Sequence, residues 1–225
     1  TIHGNASSSV TDGSLHIDNN AQLLGSGTST YTIAGSFTMD QGGSFTYAST
    51  TVIMNATTTG KTITTSGGQE ITFNTLRFTG VGGGWNINGD IRAQNGISVE
   101  NGTVSGTANV TVLGGSLSGN GTVSMGGGTT TVATTNTLGG TAPWTFNNLV
   151  LGNGIIVGTT TAATNATTTI LGRLTIGAAH TFSLGGAHID LRGSGTVFVE
   201  SGVFLEGTST VRYSGTTGAQ VLSTA

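Results

Sequence analysis

Two short phrases in the chain carry ligand chemistry: LHID sets His16 and Asp18 two residues apart, and AHID repeats that spacing with His188 and Asp190. Side chains at i and i+2 of a strand share one face, so each pair can offer an imidazole nitrogen and a carboxylate oxygen to one cation. Two ligands do not make a site, and the same spacing sends Ile17 and Ile189 inward. The expectation is a polar outer face, with no metal and no cofactor. Calcium sites of the glycine-rich nonapeptide kind need a recurring GGxGxD, which is absent.

Catalytic constellations fare no better. Acid/base cleavage of a sugar chain needs two carboxyl groups within reach of one bond. The nine acids, Asp12, Asp18, Asp40, Glu70, Asp90, Glu100, Asp190, Glu200 and Glu206, are spread one per strand or turn, so that only stacking can bring any together. Gly60, Lys61 and Thr62 end like a phosphate loop, but Asn55 stands where such a loop needs glycine, and no helix follows. No GxSxG elbow occurs among the many serines. No catalytic or cofactor-binding residue emerges, and the chain is expected not to be an enzyme.

The elements that must carry these residues follow from composition and period. Of 225 residues, 40 are glycine, one is proline, none is cysteine, and only 7% are charged. Collagen needs glycine at one position in three with abundant proline, so a triple helix is excluded. The formal charge of −3, with six Lys plus Arg, leaves no basic stripe to neutralise phosphates and sets nucleic acid aside as a partner. No apolar run reaches the ~18 residues of a membrane-spanning helix. Thr1 is not methionine and no leader precedes it, which points to a processed product or an excised segment. Mean hydropathy of +0.13 and valine, isoleucine and leucine along the whole length indicate a chain that folds.

Alternating apolar bursts punctuated by glycine, asparagine or serine recur throughout, as in Leu15 and Ile17, Phe37 and Met39, Phe45 and Tyr47, Val110 and Val112, Ile189 and Leu191, Val197 and Val199. That is the pattern of short strands between tight turns, with almost no helix. The 13 aromatics are scattered among small residues, which suits narrow stacked coils better than a thick sandwich core. The expected fold is all-β, a single elongated parallel β-solenoid over residues 1–225, a right-handed β-helix of roughly ten coils at ~4.8 Å each.

A longer period overlies the coils. GSFTYASTTVIMNATTTGKTI from Gly43 matches GVFLEGTSTVRYSGTTGAQVL from Gly202, with a looser copy from Gly121. These define degenerate super-repeats of about 80 residues, at 43–120, 121–201 and an incomplete 202–225. Because the third copy stops early, either the rest was cut away or a neighbouring molecule completes that edge. Ile2, Leu15 and Ile17 in the first coil and Val211, Tyr213, Val221 and Leu222 in the last are the candidate assembly interface.

The phrase GTVFVESGVFLEGTSTVRYSGTTGAQVLS, with GSFTMDQGGSFTYASTTVIMN, resembles degenerate repeats of secreted or surface-displayed bacterial β-solenoid proteins of the adhesin, autotransporter-passenger and envelope-fibre type. The resemblance implies an exported, extended, non-enzymatic role, and brings no active-site motif. The expectation is a building block of an extracellular fibre or cell-surface stalk, a homopolymer or a partner of neighbouring repeats of the same protein. A carbohydrate-binding adhesin is the alternative and should expose Trp85 or Trp144 beside a groove. A polysaccharide-active β-helix enzyme should bring two acids together, and an ice binder should align its threonine tracts, Thr57–Thr59, Thr129–Thr131, Thr159–Thr161 and Thr167–Thr169, on one flat face. Six sequons, at Asn5, Asn55, Asn101, Asn109, Asn120 and Asn165, are candidate N-glycan sites, although serine and threonine are frequent enough to create most of them by chance.

Overall fold

Apolar residues at every second position dictate short strands, and the computed structural model, which describes residues 13–163 and 167–224, is built from them: 27 strands and, among the described residues, no helix. All pairings are parallel, and most strands meet partners one coil earlier and one coil later, so the chain winds as a parallel β-solenoid. Coil 1 runs through Leu15–Ile17, Gln22–Leu24 and Thr30–Ile33, which lie on three successive faces. Coil 9 runs through His188–Leu191, Gly195–Glu200 and Val203–Leu205. Thr210–Tyr213 and Gln220–Thr224 start a tenth. The third face is one continuous nine-stranded sheet, which sets the number of complete coils among the described residues at nine.

Register explains the core. On the first face one inward row passes through Leu15, Phe37, Ile63, Ile87, Gly106, Met125, Phe146, Ile170, Leu191 and Tyr213. From Leu15 to Leu191 every side chain of that row is buried, so a single column of apolar contacts runs along the axis. The aromatic residues line this column: Phe37 meets Phe73 edge-on at 5.4 Å, Phe78 lies 5.1 Å from Trp85, and Trp144 donates its indole N–H to the Gly121 carbonyl at 2.9 Å. Gly106 interrupts the row. Its φ of +153° and a would-be Cβ only 2.4 Å from the Ile87 carbonyl oxygen admit no side chain there. At this level, between Val104, Val110, Leu117 and Met125, the core holds an apolar cavity of about 20 Å³.

Corners repeat a hydrogen-bond device of their own. Asp90 accepts from the Asn109 backbone N–H at 2.8 Å and its side-chain amide at 2.9 Å, and Asn109 passes the pattern on by accepting from the Thr129 N–H at 2.9 Å. Asn74 and Asn95, and Asn120 and Thr141, are joined the same way. Short polar side chains thereby continue, at the turns, the ladder that backbone groups make in the strands.

Two local departures from simple alternation matter. In the Gly195–Glu200 strand, Val197 is fully buried while Val199 is half-exposed, because a bulge between Thr196 and Phe198 reverses the parity and brings Phe198 into the inward row. On the second face, the Ser44–Thr46 strand pairs only with Gln22–Leu24, and Ile71–Phe73 pairs only with Ile91–Ala93, so the sheet parts between coils 2 and 3. Phe45 and Tyr47, expected in the alternating core pattern, are consequently half-exposed at that opening.

Candidate functional site

The first LHID phrase gains a third group from the coil beside it. Leu15 and Ile17 point inward, and His16 and Asp18 face out, as the spacing requires. Ile17 pairs with Met39, and the Asp40 N–H donates to the Ile17 carbonyl at 2.9 Å, which sets Asp40 directly beside Asp18 at the corner. His16 Nε2 lies 3.1 Å from Asp40 Oδ2, and His16 Nδ1 lies 3.6 Å from Asp18 Oδ1. Gly42, at φ +84°, lets the second turn nest against Asn19, whose side-chain oxygen would lie 2.8 Å from any Cβ there. Sequence reasoning missed Asp40. Its signal was present as FTMD, whose aspartate follows that of LHID by 22 residues (40 − 18), one coil length.

The second phrase is resolved differently. Asp190 is buried, accepts from Arg192 Nε at 2.7 Å and from the Ser214 hydroxyl, and has Arg212 Nε 3.9 Å away. Burial alone would raise its pKa, but the Ser214 and Arg192 hydrogen bonds and the charges of Arg192 and Arg212 outweigh this and hold it below the ordinary carboxylate value. His188 stands exposed beside it. Elsewhere Glu70 pairs with Arg92 at 2.6 Å and Glu100 with Arg77 at 2.7 Å, each across one coil step.

Where the second face parts, an open cleft of about 400 Å³ lies between coils 2 and 3. Met39, Phe45 and Ile71 form its floor, and Ser44, Tyr47, Gln69, Glu70 and Thr72 its walls and rim. A volume of that size with an apolar base and a few polar groups is in the range of small-ligand sites. Trp85 and Trp144, singled out as possible sugar platforms, are each only 1% exposed and belong to the core.

The last coil has a different character. Tyr213 and Leu222 occupy the inward rows of Leu191 and Phe198, yet they are 43% and 56% exposed, because no further coil covers them among the described residues. Val211 is partly buried against the core, and Val221 is 47% exposed. Leu15 and Ile17, proposed with them for assembly, are buried within coil 1 and serve its core; Ile2 lies outside the described residues. Away from the ends, the turn after Leu151 holds Ile155 and Val157 out in solvent, with Asn153 Oδ1 accepting from the Ile155 and Ile156 N–H groups.

The candidate glycan sites divide. Asn101 and Asn109 are exposed but donate their side-chain amides to the Thr79 carbonyl and Asp90, while Asn120 is exposed with its oxygen engaged by Thr141. Asn55 is half-buried, and Asn5 and Asn165 lie outside the described residues. Threonine does not form one unbroken rank: the outward row Thr72, Arg92, Thr111, Thr131, Val150, Thr175 is interrupted twice. No family model, curated protein or solved structure matches this chain.

Proposed function

We propose that this protein is a non-catalytic structural rod, a building block of an extracellular fibre or cell-surface stalk, joined to its neighbours through its terminal coils. The observation that supports this reading most directly is the open sheet edge that the last described strands present. Three strands of the last coils, Val203–Leu205, Thr210–Tyr213 and Gln220–Thr224, each pair on one side only, and inward-row side chains stand open above them. A further coil, from a second copy or from neighbouring repeats of the same protein, would satisfy those backbone groups and bury Tyr213 and Leu222. A net charge of −3 over 225 residues offers little repulsion between copies.

Electron microscopy of the purified chain across a concentration series tests the reading. Rods joined end to end, and their dispersal by Tyr213→Lys with Leu222→Lys, are the expected results. Single short rods at every concentration, unchanged by the double substitution, would count against assembly through this end. The cleft between coils 2 and 3 favours a second reading, a carbohydrate-binding adhesin segment in which Tyr47 and Phe45 supply the apolar platform. Glycan-array binding that Tyr47→Ala removes would support it, and an array without signal would set it aside.

A further inference from the structure

We propose that the turn at 155–157 of one copy seats in the cleft between coils 2 and 3 of a second copy, pairing two rods side by side and antiparallel. Ile155, Ile156 and Val157 are 84%, 47% and 81% exposed, and they are the only three consecutive exposed apolar residues among the described ones. The turn is held rather than frayed. Asn153 Oδ1 accepts from the Ile155 and Ile156 N–H groups at 3.0 and 2.8 Å. Gly152 and Gly158, at its two ends, pack so closely on buried His180 that a Cβ on them would lie 2.6 and 3.1 Å from it. Apolar side chains fixed in solvent on such a base are of the kind a partner surface buries.

Charge and backbone chemistry select the occupant. No Asp, Glu, Lys or Arg occurs between Glu100 and Arg173, so the turn has no neighbouring cation in sequence to offer an anionic lipid or a nucleic acid. The cleft is neutral as well: Met39, Phe45 and Ile71 floor it, and its one carboxylate, Glu70, is matched by Arg92 at 2.6 Å. Its two sides are strands with one edge unpaired, since Ser44–Thr46 pairs only with Gln22–Leu24 and Ile71–Phe73 only with Ile91–Ala93. Open strand edges beside an apolar floor are met by polypeptide backbone carrying apolar side chains, which favours this turn over a sugar. Turn and cleft also lie along one side of the rod. Leu151, just before the turn, ends a second-face strand, Tyr47 follows another, and the turn leads into Gly158–Ala162, the seventh strand of the third face. Between four and five coils at ~4.8 Å therefore separate them, about 22 Å. A twofold axis across two such rods sets each turn opposite the other's cleft, and the contact closes as a dimer. This pairing is lateral and independent of joining through the terminal coils.

Disulfide cross-linking tests the contact, because the chain has no cysteine of its own. Val157→Cys chains are mixed with chains carrying Thr72→Cys at the rim of the cleft, all with Tyr213→Lys and Leu222→Lys to suppress end-to-end joining, and oxidised. The expected product is the mixed dimer linked between positions 157 and 72, in clear excess over either like pair. In sedimentation velocity, chains with only the two end substitutions should form a dimer that Ile155→Asp with Val157→Asp returns to monomer. Both side chains stand in solvent, so an unchanged far-UV spectrum will separate loss of pairing from loss of fold. Monomers at every concentration, a dimer that survives the two aspartates, or cross-links only between like positions would overturn the proposal. Monomers together with glycan-array binding that Tyr47→Ala removes would overturn it in favour of a sugar in the cleft.

Discussion

His180 shows what burial does to a single ionisable group in so narrow a core. It is 1% exposed, its Nε2 lies 2.8 Å from the Thr160 hydroxyl, and its Nδ1 has no hydrogen-bond partner. Desolvation pushes its pKa below the ordinary 6.5, so the folded chain keeps the ring neutral while the unfolded chain takes up a proton first. Its stabilising contribution is therefore complete above the unfolded value and is lost as pH falls from there toward the folded one. Thermal midpoints should drop between pH 7.5 and 5.5 in the wild type and less steeply in His180→Gln; equal slopes would show that other groups carry the acid sensitivity. Asp190 titrates lower: its depressed pKa contributes stability above the ordinary 3.8 that fades as pH falls below it. Asp190→Asn is expected to cost about 1–2 kcal/mol, because it weakens the charge-assisted hydrogen bond from Arg192 and the longer ion pair with Arg212, whose guanidinium groups are well exposed. Glu70→Gln, at a more exposed pair, should cost about 0.2–1 kcal/mol by chemical denaturation, and the reverse order would contradict this account.

Strands are nearly interchangeable units in this protein. Gly43 precedes a strand of the second face, Gly121 one of the first face and Gly202 one of the third, so similar sequence stretches serve different sides of the rod. This works because every face asks the same of a strand: apolar side chains in, small polar ones out, and a corner residue that accepts the turn. Exceptions arise where backbone geometry intervenes. At Gly106 the positive φ and the nearby Ile87 carbonyl forbid a side chain even though the core beside it is underfilled. Gly106→Ala should therefore destabilise by about 1 kcal/mol or more, in contrast to the gain usual when alanine replaces glycine at a compatible site. A rise in the urea midpoint would show that the cavity, rather than the backbone, dominates.

At the scale of the molecule, the nine complete coils among the described residues span about 43 Å at ~4.8 Å each. Small-angle scattering of dispersed chains should return an elongated particle at least that long, and far-UV dichroism should lack the helical minima. A near-spherical scattering profile would be incompatible with stacked coils. Stability along such a rod is local, since each coil touches only its neighbours.

The β-solenoid architecture was legible in the sequence because strand alternation and corner chemistry are local: Leu15 with Ile17, Phe37 with Met39 and Ile189 with Leu191 point inward wherever the coil places them. The same locality made the outward facing of His16 and Asp18 readable. What lies one coil away was not. Coil lengths vary from 19 residues, between Ile87 and Gly106, to 26, between Phe37 and Ile63, so no fixed period predicts which side chains stack. Only the tertiary structure brought Asp40 beside His16, set Arg212 and Ser214 against Asp190, buried both tryptophans and opened the second face at Phe45, since these depend on register between coils.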